Sequence, residues 1–384
     1  MNNGKLLLLL TITALAASCS LTPSKPGMGK AIDWDDLPGW SKDHHAKAWP
    51  ALLQSCMKMP AKNPQWQPIC EDAQAVDVLD DETARMFFEQ HFVAHHFTGS
   101  GNKGKGLVTG YYEPLLYGSL KKTARYKYPL YKRPDDLLRI ELGDMYPELK
   151  GKKVRGRIVD KRVVPYYDRN EINNGKNPLA GNELLWVDDP VAVFFLHIQG
   201  SGRIQMPDGS YTGVGYADQN GQPYSSIGRI LIEQGEIKKE DISMFTIRDW
   251  LKNNPQKSQD MLTRNRSYIF FQLRESADTN PVGSLNVPLT PARSIAVDPK
   301  NIPMGSPVWL DTSWPDENNT PLQRLMLAQD TGGAIKGYAR ADMFWGNGPR
   351  AEKLAGEMKQ EARFYVLVPR TQQVSAAGSE KASN

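Results

Sequence analysis

Short apolar runs separated by turn residues dominate the second half of the chain. From residue 268 onward these runs occupy residues 268–271, 294–297, 308–310, 324–328 and 364–368. Each run has the length of a strand, and glycine, proline, asparagine or aspartate residues lie close to most of them. Few helical patterns interrupt the runs, so antiparallel or mixed pairing is favoured over a doubly wound sheet. The pattern therefore predicts a mainly β fold.

Three segments carry a helical pattern instead. Residues 83–97 and 226–234 repeat apolar side chains at helical spacing, and residues 243–253 end just before a proline. A further apolar run at residues 193–198 is interpreted as a strand. We expect only a few peripheral helices around the β core.

The N-terminus has the pattern of an export signal. Residues 6–17 form an apolar stretch of 12 positions (17 − 6 + 1), too short for a membrane span of about 20 residues. The pattern predicts a signal peptide at residues 1–18. Small residues before Cys19 resemble a bacterial lipoprotein site, at which the cysteine is lipidated. An ordinary cleaved signal peptide with an incidental cysteine is the alternative.

Polar segments flank the folded part of the chain. Residues 19–32 are rich in proline and glycine and predict a tether, and residues 371–384 have the composition of a disordered tail. Ser20 follows the cysteine, as in lipoproteins that are sorted to the outer membrane. The sequence therefore predicts a periplasmic lipoprotein anchored to the outer membrane.

Composition narrows the class of protein further. A length of 384 residues suggests two or three domains, and 47 basic against 43 acidic residues give a net charge of +4, too weak to indicate nucleic-acid binding. Cys56 and Cys70 form an even pair in an exported chain and predict a disulfide. Neither cysteine lies in a zinc pattern, and no metal or cofactor is expected.

Asp330 is the strongest candidate for chemistry. It follows the apolar run at residues 324–328 and precedes a turn containing Gly332 and Gly333. Burial raises the pKa of a carboxyl group, and glycines without Cβ atoms allow a ligand to approach closely. Both conditions suit a general acid. The alternative is that Asp330 only accepts hydrogen bonds within its turn.

Two further aspartates are expected near Asp330. Asp298 ends the run at residues 294–297, and Asp342 begins a loop, so each either caps a turn or shapes the site. A neighbouring negative charge would help to keep Asp330 protonated. Lys336 would oppose this effect if it pointed inward. It could equally face solvent or hold an acetamide or peptide carboxylate.

Polar residues beside glycines suggest a surface for a neutral sugar. Gln199, Gly200, Ser201 and Gly202 follow the apolar run at residues 193–198, and their side chains include donors and acceptors suited to hydroxyl groups. On the segment VTGYYEP, Thr109 offers a hydrogen bond, Gly110 follows it, and Tyr111 and Tyr112 offer aromatic surface. One tyrosine should instead pack inside, because neighbours on a strand face opposite ways.

These motifs together resemble the membrane-bound lytic murein transglycosylase A family and its three-aspartate barrel domain. The resemblance extends from about residue 106 to about residue 366. It implies a double-psi β-barrel built from residues 33–118 and 264–370. A second β-rich domain at residues 119–263 is then inserted into the barrel domain, and a groove between the two holds a glycan strand.

The resemblance also implies the reaction. The enzyme would cleave the β-1,4 bond between N-acetylmuramic acid and N-acetylglucosamine and form 1,6-anhydromuramic acid. Asp330 would act first as acid and then as base. Asp298 and Asp342 would shape the site. Residues implied in substrate binding are Thr109, Gly110, Tyr111, Tyr112, Gln199, Gly200, Ser201, Gly202, Gly332, Gly333 and Lys336. Peptidoglycan glycan strands and the outer membrane are the expected partners, with unidentified wall-synthesis proteins.

Three other functions remain open from the sequence. Asp330-Thr331-Gly332 spells the D-T-G motif of aspartic proteases, and a single copy allows only a dimeric protease. A non-catalytic glycan-binding wall module is the second alternative. A murein hydrolase that leaves a reducing sugar is the third, and its products are heavier by one water.

Overall fold

The computed structural model describes residues 26–99, 104–152, 154–316 and 318–370 of the chain. The fold is mixed α/β with more strand than helix. The predicted signal peptide, Cys19 and the predicted tail at residues 371–384 lie outside the described residues. Within the described part, every helix is too short or too polar to cross a bilayer.

Seventeen strands occur in these described ranges. In chain order they are β1 (Gly27–Ile32), β2 (Phe92–Thr98), β3 (Gly106–Glu113), β4 (Leu115–Ser119), β5 (Tyr128–Tyr131), β6 (Leu138–Ile140), β7 (Val154–Val159), β8 (Arg162–Pro165), β9 (Glu183–Val187), β10 (Ser201–Gln205), β11 (Tyr211–Gln219), β12 (Ile269–Arg274), β13 (Ser294–Val297), β14 (Pro307–Ser313), β15 (Pro321–Asp330), β16 (Arg340–Asn347) and β17 (Lys359–Pro369).

Ten α-helices accompany the strands in the same described part. They are α1 (Trp49–Cys56), α2 (Met59–Lys62), α3 (Trp66–Gln74), α4 (Asp81–His91), α5 (Arg169–Asn174), α6 (Pro190–Gln199), α7 (Ile227–Glu233), α8 (Met244–Asn253), α9 (Pro255–Thr263) and α10 (Pro349–Glu357). Single 3-10 turns occur at Trp34–Asp36, Trp40–Lys42, His45–Ala48 and Pro147–Leu149. The expectation of a mainly β fold with few helices is therefore corrected to a mixed fold.

The strands form three sheets. The first sheet has the order β1-β2-β17-β14-β15-β13-β16-β3, with an additional pairing of β17 and β3. The second sheet has the order β12-β11-β10-β4-β9-β5, and the third has the order β6-β7-β8. Most pairs are antiparallel, whereas β13 with β15, β16 with β3 and β10 with β4 run parallel. The predicted mixed pairing is confirmed.

The predicted strands of the second half are confirmed as β12 to β15 and β17. The predicted helices at residues 226–234 and 243–253 are confirmed as α7 and α8, and Ser226 and Ser243 cap them through their side chains. The structure also joins Cys56 to Cys70 by a disulfide, which ties α1 to α3.

The helix expected at residues 83–97 is wrong in its second half. The helix α4 ends at His91, and the next seven residues form strand β2 between β1 and β17. Phe92, Ala94 and Phe97 are buried in this strand. Pairing on both sides outweighs the local helical spacing of the phenylalanines, because tertiary contacts override weak propensities.

The strand expected at residues 193–198 is also wrong, because these residues lie in helix α6. The Asp189 side chain accepts the Val191 N–H at 2.8 Å, Pro190 occupies the first turn, and Gly200 ends the helix in the left-handed conformation with φ +82°. The capping residues at its two ends therefore determine that this apolar run forms a helix.

Two predicted boundaries need correction. Residues 27–32 form β1, which pairs with β2, so this part of the expected tether belongs to the first sheet. Strands β4 and β12 pair within the second sheet, although the sequence assigned most of β4 and all of β12 to the barrel.

Candidate active site

A register shift at the end of β15 sets the direction of Asp330. Strand β15 pairs with β13 in parallel, with Ile295 opposite Ala328 and Ala296 opposite Asp330, so Gln329 is an extra residue. Simple alternation would turn Asp330 toward the interior cluster that contains Ala328. The bulge instead turns Asp330 toward the face of Ala296 and Tyr111.

Gln329 holds this bulge in place. Its side chain is fully buried, and its amide nitrogen donates to the Ala51 carbonyl at 2.7 Å and to Ser55 Oγ at 2.9 Å. Its amide oxygen accepts the Ser294 hydroxyl proton at 2.5 Å. These bonds fix the strand end against helix α1, so the backbone that carries Asp330 has little freedom.

The two carboxyl oxygens of Asp330 have different surroundings. Oδ1 accepts the Ser284 N–H and Oγ–H, both at 2.9 Å, and the Thr331 N–H at 2.8 Å. Among the described residues, Oδ2 accepts only the Tyr111 hydroxyl, at 3.0 Å. The three donors hold Oδ1 as an acceptor, which leaves Oδ2 as the oxygen that can exchange a proton.

The surroundings of Asp330 shift its pKa upward. Burial raises the pKa of the half-buried carboxyl group above its ordinary value, and this effect outweighs the hydrogen bonds from Ser284, Thr331 and Tyr111, which lower the pKa. The group is thereby suited to donate a proton.

Asp342 lies on the other side of Ala296 from Asp330. Ala296 on β13 is opposite Asp330 on β15 and opposite Asp342 on β16. Adjacent strands are about 4.8 Å apart, so the two aspartate backbones are about 10 Å apart across one small alanine. The prediction that Asp342 lies near Asp330 agrees with this pairing.

Thr109 and Arg340 hold the Asp342 carboxylate. The Thr109 hydroxyl donates to Asp342 Oδ1, and one Arg340 nitrogen donates to Thr109 Oγ1 at 2.8 Å. Burial raises the pKa of Asp342, and the nearby charge of Asp330 raises it further. The charge of Arg340 and the hydrogen bond from Thr109 act in the opposite direction. The two carboxyl groups therefore disfavour simultaneous ionisation.

Asp298 has structural contacts. It is buried at the end of β13, and its Oδ2 accepts the Gly337 N–H at 2.8 Å while Oδ1 accepts the Lys300 N–H at 3.2 Å. The first bond ties β13 to the loop that follows Asp330. These contacts fit the expectation that Asp298 caps a turn and shapes the site rather than transfers a proton.

The two neighbouring tyrosines point to opposite sides of β3, as predicted. Tyr111 reaches Asp330 and packs on Phe344 with ring centroids 5.2 Å apart, whereas the Tyr112 hydroxyl donates to Glu352 at 3.2 Å. Both rings are buried, so these two positions do not offer the open aromatic surface that was expected for a sugar. Tyr111 reaches the site through its hydroxyl group.

Several predicted sugar-binding residues have packing roles. A Cβ on Gly110 would lie 2.7 Å from Trp345 Nε1 and 2.8 Å from the Ala355 Cα, and a Cβ on Gly202 would lie 2.5 Å from the Leu196 side chain. These two glycines are required by close packing. Close packing therefore explains why glycine occupies both positions, without any role in substrate binding.

The end of helix α6 and the segment that follows it lie against strand β3, which carries Tyr111. Gln199 Oε1 accepts the Tyr112 N–H at 3.1 Å, Gly200 has open space around its Cα, and Ser201 is buried at the start of β10. The polar group predicted at residues 199–202 thus contacts the same strand that carries the Asp330 partner.

The loop after Asp330 is open. A Cβ on Gly333 would have no described atom within 4 Å, whereas a Cβ on Gly332 would lie 2.6 Å from the Ile335 side chain. The Lys336 side chain is exposed. Solvent therefore surrounds Lys336, as one of the alternatives from the sequence expected.

Sequence reasoning missed Ser284, Thr331 as a donor, and Arg340. Ser284 lies 46 positions before Asp330 in the loop between β12 and β13, and Gly283 there packs against the Gln329 carbonyl. Loop serines are too common to signal such a role. A backbone N–H and hydroxyl aimed at Asp330 become visible only in three dimensions.

Two family models match the chain. One, described as the MltA specific insert domain, matches residues 107–272. The other, described as the 3D domain, matches residues 293–368. The first range contains nearly all of the second sheet, and the second contains Asp298, Asp330 and Asp342.

Curated relatives and solved structures agree with these matches. Membrane-bound lytic murein transglycosylase A of Escherichia coli K12 is 33% identical over 281 residues, which are 71% of this chain and 68% of that protein. The homolog from Buchnera aphidicola is 34% identical over 275 residues, 70% of this chain and 68% of that protein.

Among solved structures, a membrane-bound lytic murein transglycosylase from Agrobacterium tumefaciens has a TM-score of 0.80 at 34% identity, covering 90% of this chain and 98% of that one. Escherichia coli MltA with bound chitohexaose has a TM-score of 0.67 at 26% identity, covering 91% and 96%. An MltA insert combined with a 3D domain defines the class of this protein. The chain belongs to the membrane-bound lytic murein transglycosylase A family.

Proposed function

We propose that this chain is a lytic murein transglycosylase that cleaves the β-1,4 bond between N-acetylmuramic acid and N-acetylglucosamine. Its relatives are named for this activity, and the Escherichia coli structure is described with bound chitohexaose. The product carries a 1,6-anhydro ring on muramic acid. The observation that supports the mechanism best is the unequal hydrogen bonding of the two Asp330 oxygens, with three protein donors on Oδ1 and one on Oδ2.

Asp330 is the proposed acid and base. Its protonated Oδ2 donates to the glycosidic oxygen as the bond from that oxygen to C1 of N-acetylmuramic acid breaks. The C6 hydroxyl of the same sugar then attacks C1, and its proton passes to the Asp330 carboxylate. The acid is restored without water, so one carboxyl group serves both steps.

Neighbouring groups support this assignment. The Tyr111 hydroxyl and the Asp330 Oδ1 donors orient the carboxyl group, and burial raises its pKa. Asp342 is held by Thr109, and Asp298 is held by backbone N–H groups. Asp342 and Asp298 are therefore assigned to shaping the site.

We infer a double-psi barrel for the first sheet and a glycan groove beside the second sheet. The mixed strand order of the first sheet supports a closed barrel, since β17 pairs with both β3 and β14. The contact of Gln199 with β3 brings the end of α6, which leads into β10 of the second sheet, to the strand of Tyr111. Glycan subsites along this boundary fit a neutral polysaccharide.

We infer a periplasmic location with a lipid anchor on Cys19 in the outer membrane. Two observations support this: the relatives are named membrane-bound, and small residues precede the cysteine. The disulfide between Cys56 and Cys70 agrees with an oxidising compartment.

The proposed reaction is tested with Asp330→Asn. The purified variant is expected to bind murein sacculi as the wild type does, with an unchanged fold by circular dichroism, and to release no anhydro-muropeptides. Mass analysis of the digest separates anhydro products from hydrolytic products, which are heavier by one water. Retained turnover in Asp330→Asn would remove Asp330 from the mechanism, and hydrolytic products from the wild type would identify a murein hydrolase instead.

The alternative of a dimeric aspartic protease has less support. That chemistry requires two carboxyl groups that share a proton. The relatives that the chain matches are named instead as lytic murein transglycosylases.

A further inference from the structure

A cavity of about 640 Å³ is lined by residues outside the Asp330 site. Its walls come from the start of α1, the loop before β13, strands β15 and β16, and helix α10. None of the residues assigned above to the Asp330 site lines it. The volume falls within the range of about 300–1,000 Å³ that is usual for small-ligand sites.

The walls of this cavity carry an excess of positive charge. Lys47, Arg293, Arg324 and Arg350 contribute to the lining, and Asp43 is the acidic side chain among the lining residues. Asp43 and Arg293 neutralise each other, because the guanidinium of Arg293 donates to both Asp43 oxygens, at 2.6 and 2.9 Å. The other three cations determine the charge of the cavity.

These three cations lack an acidic partner in the described part of the chain. Within residues 26–99, 104–152, 154–316 and 318–370, no carboxylate lies within ion-pairing distance of Lys47, Arg324 or Arg350. Lys47 and Arg350 are exposed at the rim, whereas Arg324 is half-buried. The nearby Asp43 charge raises the pKa of Arg324, but Asp43 is already paired with Arg293. Burial of Arg324 is therefore only partly compensated, which points to an anion that binds there.

Arg324 is positioned by aromatic contacts. Its guanidinium carbon lies 5.5 Å from the centre of the Trp314 ring, and the Trp314 ring lies 5.4 Å from the Trp345 ring. Burial and the nearby Arg293 charge lower the pKa of Arg324 to about 10, so it remains charged at neutral pH. The cavity thus combines a fixed cation with apolar aromatic surface.

Helix α10 adds to the positive potential. Arg350 and Ala351, in its first turn, line the cavity, and no side chain of the described residues caps this helix start. The positive end of the helix dipole therefore faces the same space as Arg350. The site is built for an anion attached to a partly apolar body.

We propose that this cavity binds carboxylate groups of the murein stem peptide, separately from the glycan. The inference rests on the proposed function. Where muramic acid bears a stem peptide, its lactyl carboxyl is consumed in the amide bond, so the free carboxylates of that murein are on the peptides. Arg324 would pair with a stem-peptide carboxylate inside the cavity, and Lys47 and Arg350 would hold it at the rim. Trp314 would contact the alanine side chains.

The experiment is calorimetric titration of the full chain with the tetrapeptide L-Ala-γ-D-Glu-meso-diaminopimelate-D-Ala. Saturable binding is expected, and the variant Arg324→Met should weaken it roughly tenfold or more, since a charge-assisted hydrogen bond is lost. Arg350→Ala, at the exposed rim of the cavity, should also weaken binding. Because Arg350 is not in the core, its replacement should leave the fold intact. Arg229→Ala, an exposed arginine on α7, is the matched control and should bind as the wild type does.

The outcomes separate this proposal from the proposed reaction. Peptide binding is measured without turnover, so an inactive enzyme that binds the peptide would contradict the proposed function alone. The variant Arg350→Ala would support the proposal if it no longer cleaved sacculi but still cleaved peptide-free glycan. No binding of the tetrapeptide, equal binding of inorganic phosphate, or wild-type binding by both cavity variants would overturn it.

Discussion

Asp330 uses its two carboxyl oxygens for different purposes. Oδ1 accepts the Thr331 N–H within its own turn, as expected of an aspartate before glycine, and also holds the Ser284 loop. Oδ2 contacts Tyr111. Turn capping and the proposed proton transfer therefore involve different oxygens, so the two interpretations of this residue are compatible.

Replacing Asp330 should change how stability depends on pH. Because burial raises the folded-state pKa of Asp330, the wild type is stabilised by its protonated carboxyl at low pH and loses that stabilisation as the pH rises through the folded pKa. Asp330→Asn has no such dependence. The melting temperature of the variant relative to the wild type should increase by roughly a few degrees between low and neutral pH.

Thermal melts of both proteins across this pH range provide the measurement. Asp342 titrates in both proteins, but Asp330→Asn removes the charge that raises the Asp342 pKa, and this lowering adds to the difference in the same direction. A difference in melting temperature that stayed constant or fell with rising pH would contradict a raised pKa at Asp330.

Tyr111 is expected to tune the proposed acid, Asp330. The Tyr111→Phe variant loses the hydrogen bond to Oδ2, which favours the charged carboxylate, so the Asp330 pKa should rise further. The alkaline limb of the activity profile should move to higher pH. The maximal rate should fall roughly 10- to 100-fold, because a hydrogen bond to a charged group is lost.

The matched control is Tyr112→Phe. The Tyr112 hydroxyl contacts Glu352 on the other side of β3, so its removal should leave the pH profile unchanged. Rates of anhydro-muropeptide release from sacculi, measured from acidic to alkaline pH, provide the test. A profile of Tyr111→Phe that coincided with that of the wild type would show that this hydroxyl does not affect the acid.

At the scale of elements, a continuous apolar run predicts a strand more reliably than a segment that mixes apolar and polar residues. Strand β13 has the bounds that its apolar run predicts, whereas β2 resembles a helix in sequence because its phenylalanines recur at helical spacing. The pairing of β2 with β1 and β17 depends on residues far away in the chain. Single-sequence periodicity contains no information about these partners.

The three aspartates can be found from the sequence, but their arrangement cannot. Asp330 and Asp342 flank Ala296 because β13 lies between β15 and β16, and strand order is invisible in local patterns. The bulge at Gln329 also reverses the face predicted by alternation. Residues adjacent to glycine turns could therefore be chosen as candidates, while the partners from Ser284 and Arg340 could not.

Packing between β3 and α10 gives a prediction for Gly110. Its replacement by alanine would place a Cβ 2.8 Å from the Ala355 backbone, which cannot move away without displacing the helix. Overpacking of this kind costs about 1–3 kcal/mol. Denaturant unfolding of Gly110→Ala should show this loss in the free energy of unfolding.

Gly333→Ala is the control for this packing effect. Gly333 has open space around its Cα and an ordinary backbone conformation, so the substitution should leave the free energy of unfolding nearly unchanged. If Gly110→Ala were as stable as the wild type but bound glycan poorly, the interpretation of Gly110 as a substrate contact would be preferred over packing.

At the scale of the whole molecule, a buried ion cluster connects the first sheet to the second. Glu113 ends β3 in the first sheet and has no exposed side-chain area. Arg203 of β10 and Arg274 of β12 lie 3.0 and 2.5 Å from its carboxylate. The Glu113 carboxylate and its two arginines thus link β3 to strands that lie 90 or more positions later in the sequence.

Breaking this cluster should destabilise the molecule strongly. Glu113→Ala leaves two largely buried arginines without this counter-ion, and removing one member of a buried ion pair costs about 3–5 kcal/mol. Asp260→Ala removes an exposed partner of Arg264 on α9 and should cost less than about 0.5 kcal/mol. Urea unfolding of both variants compares the two losses directly.

If Glu113→Ala lost no more free energy than Asp260→Ala, the cluster would contribute little to holding the sheets together, and apolar packing along β3 would have to do so. A loss within the expected range should also reduce sacculus cleavage, because β3 carries Tyr111 two residues before Glu113 and positions its hydroxyl on Asp330. The stability of the contact between the sheets and the geometry of the acid are therefore coupled through a single strand.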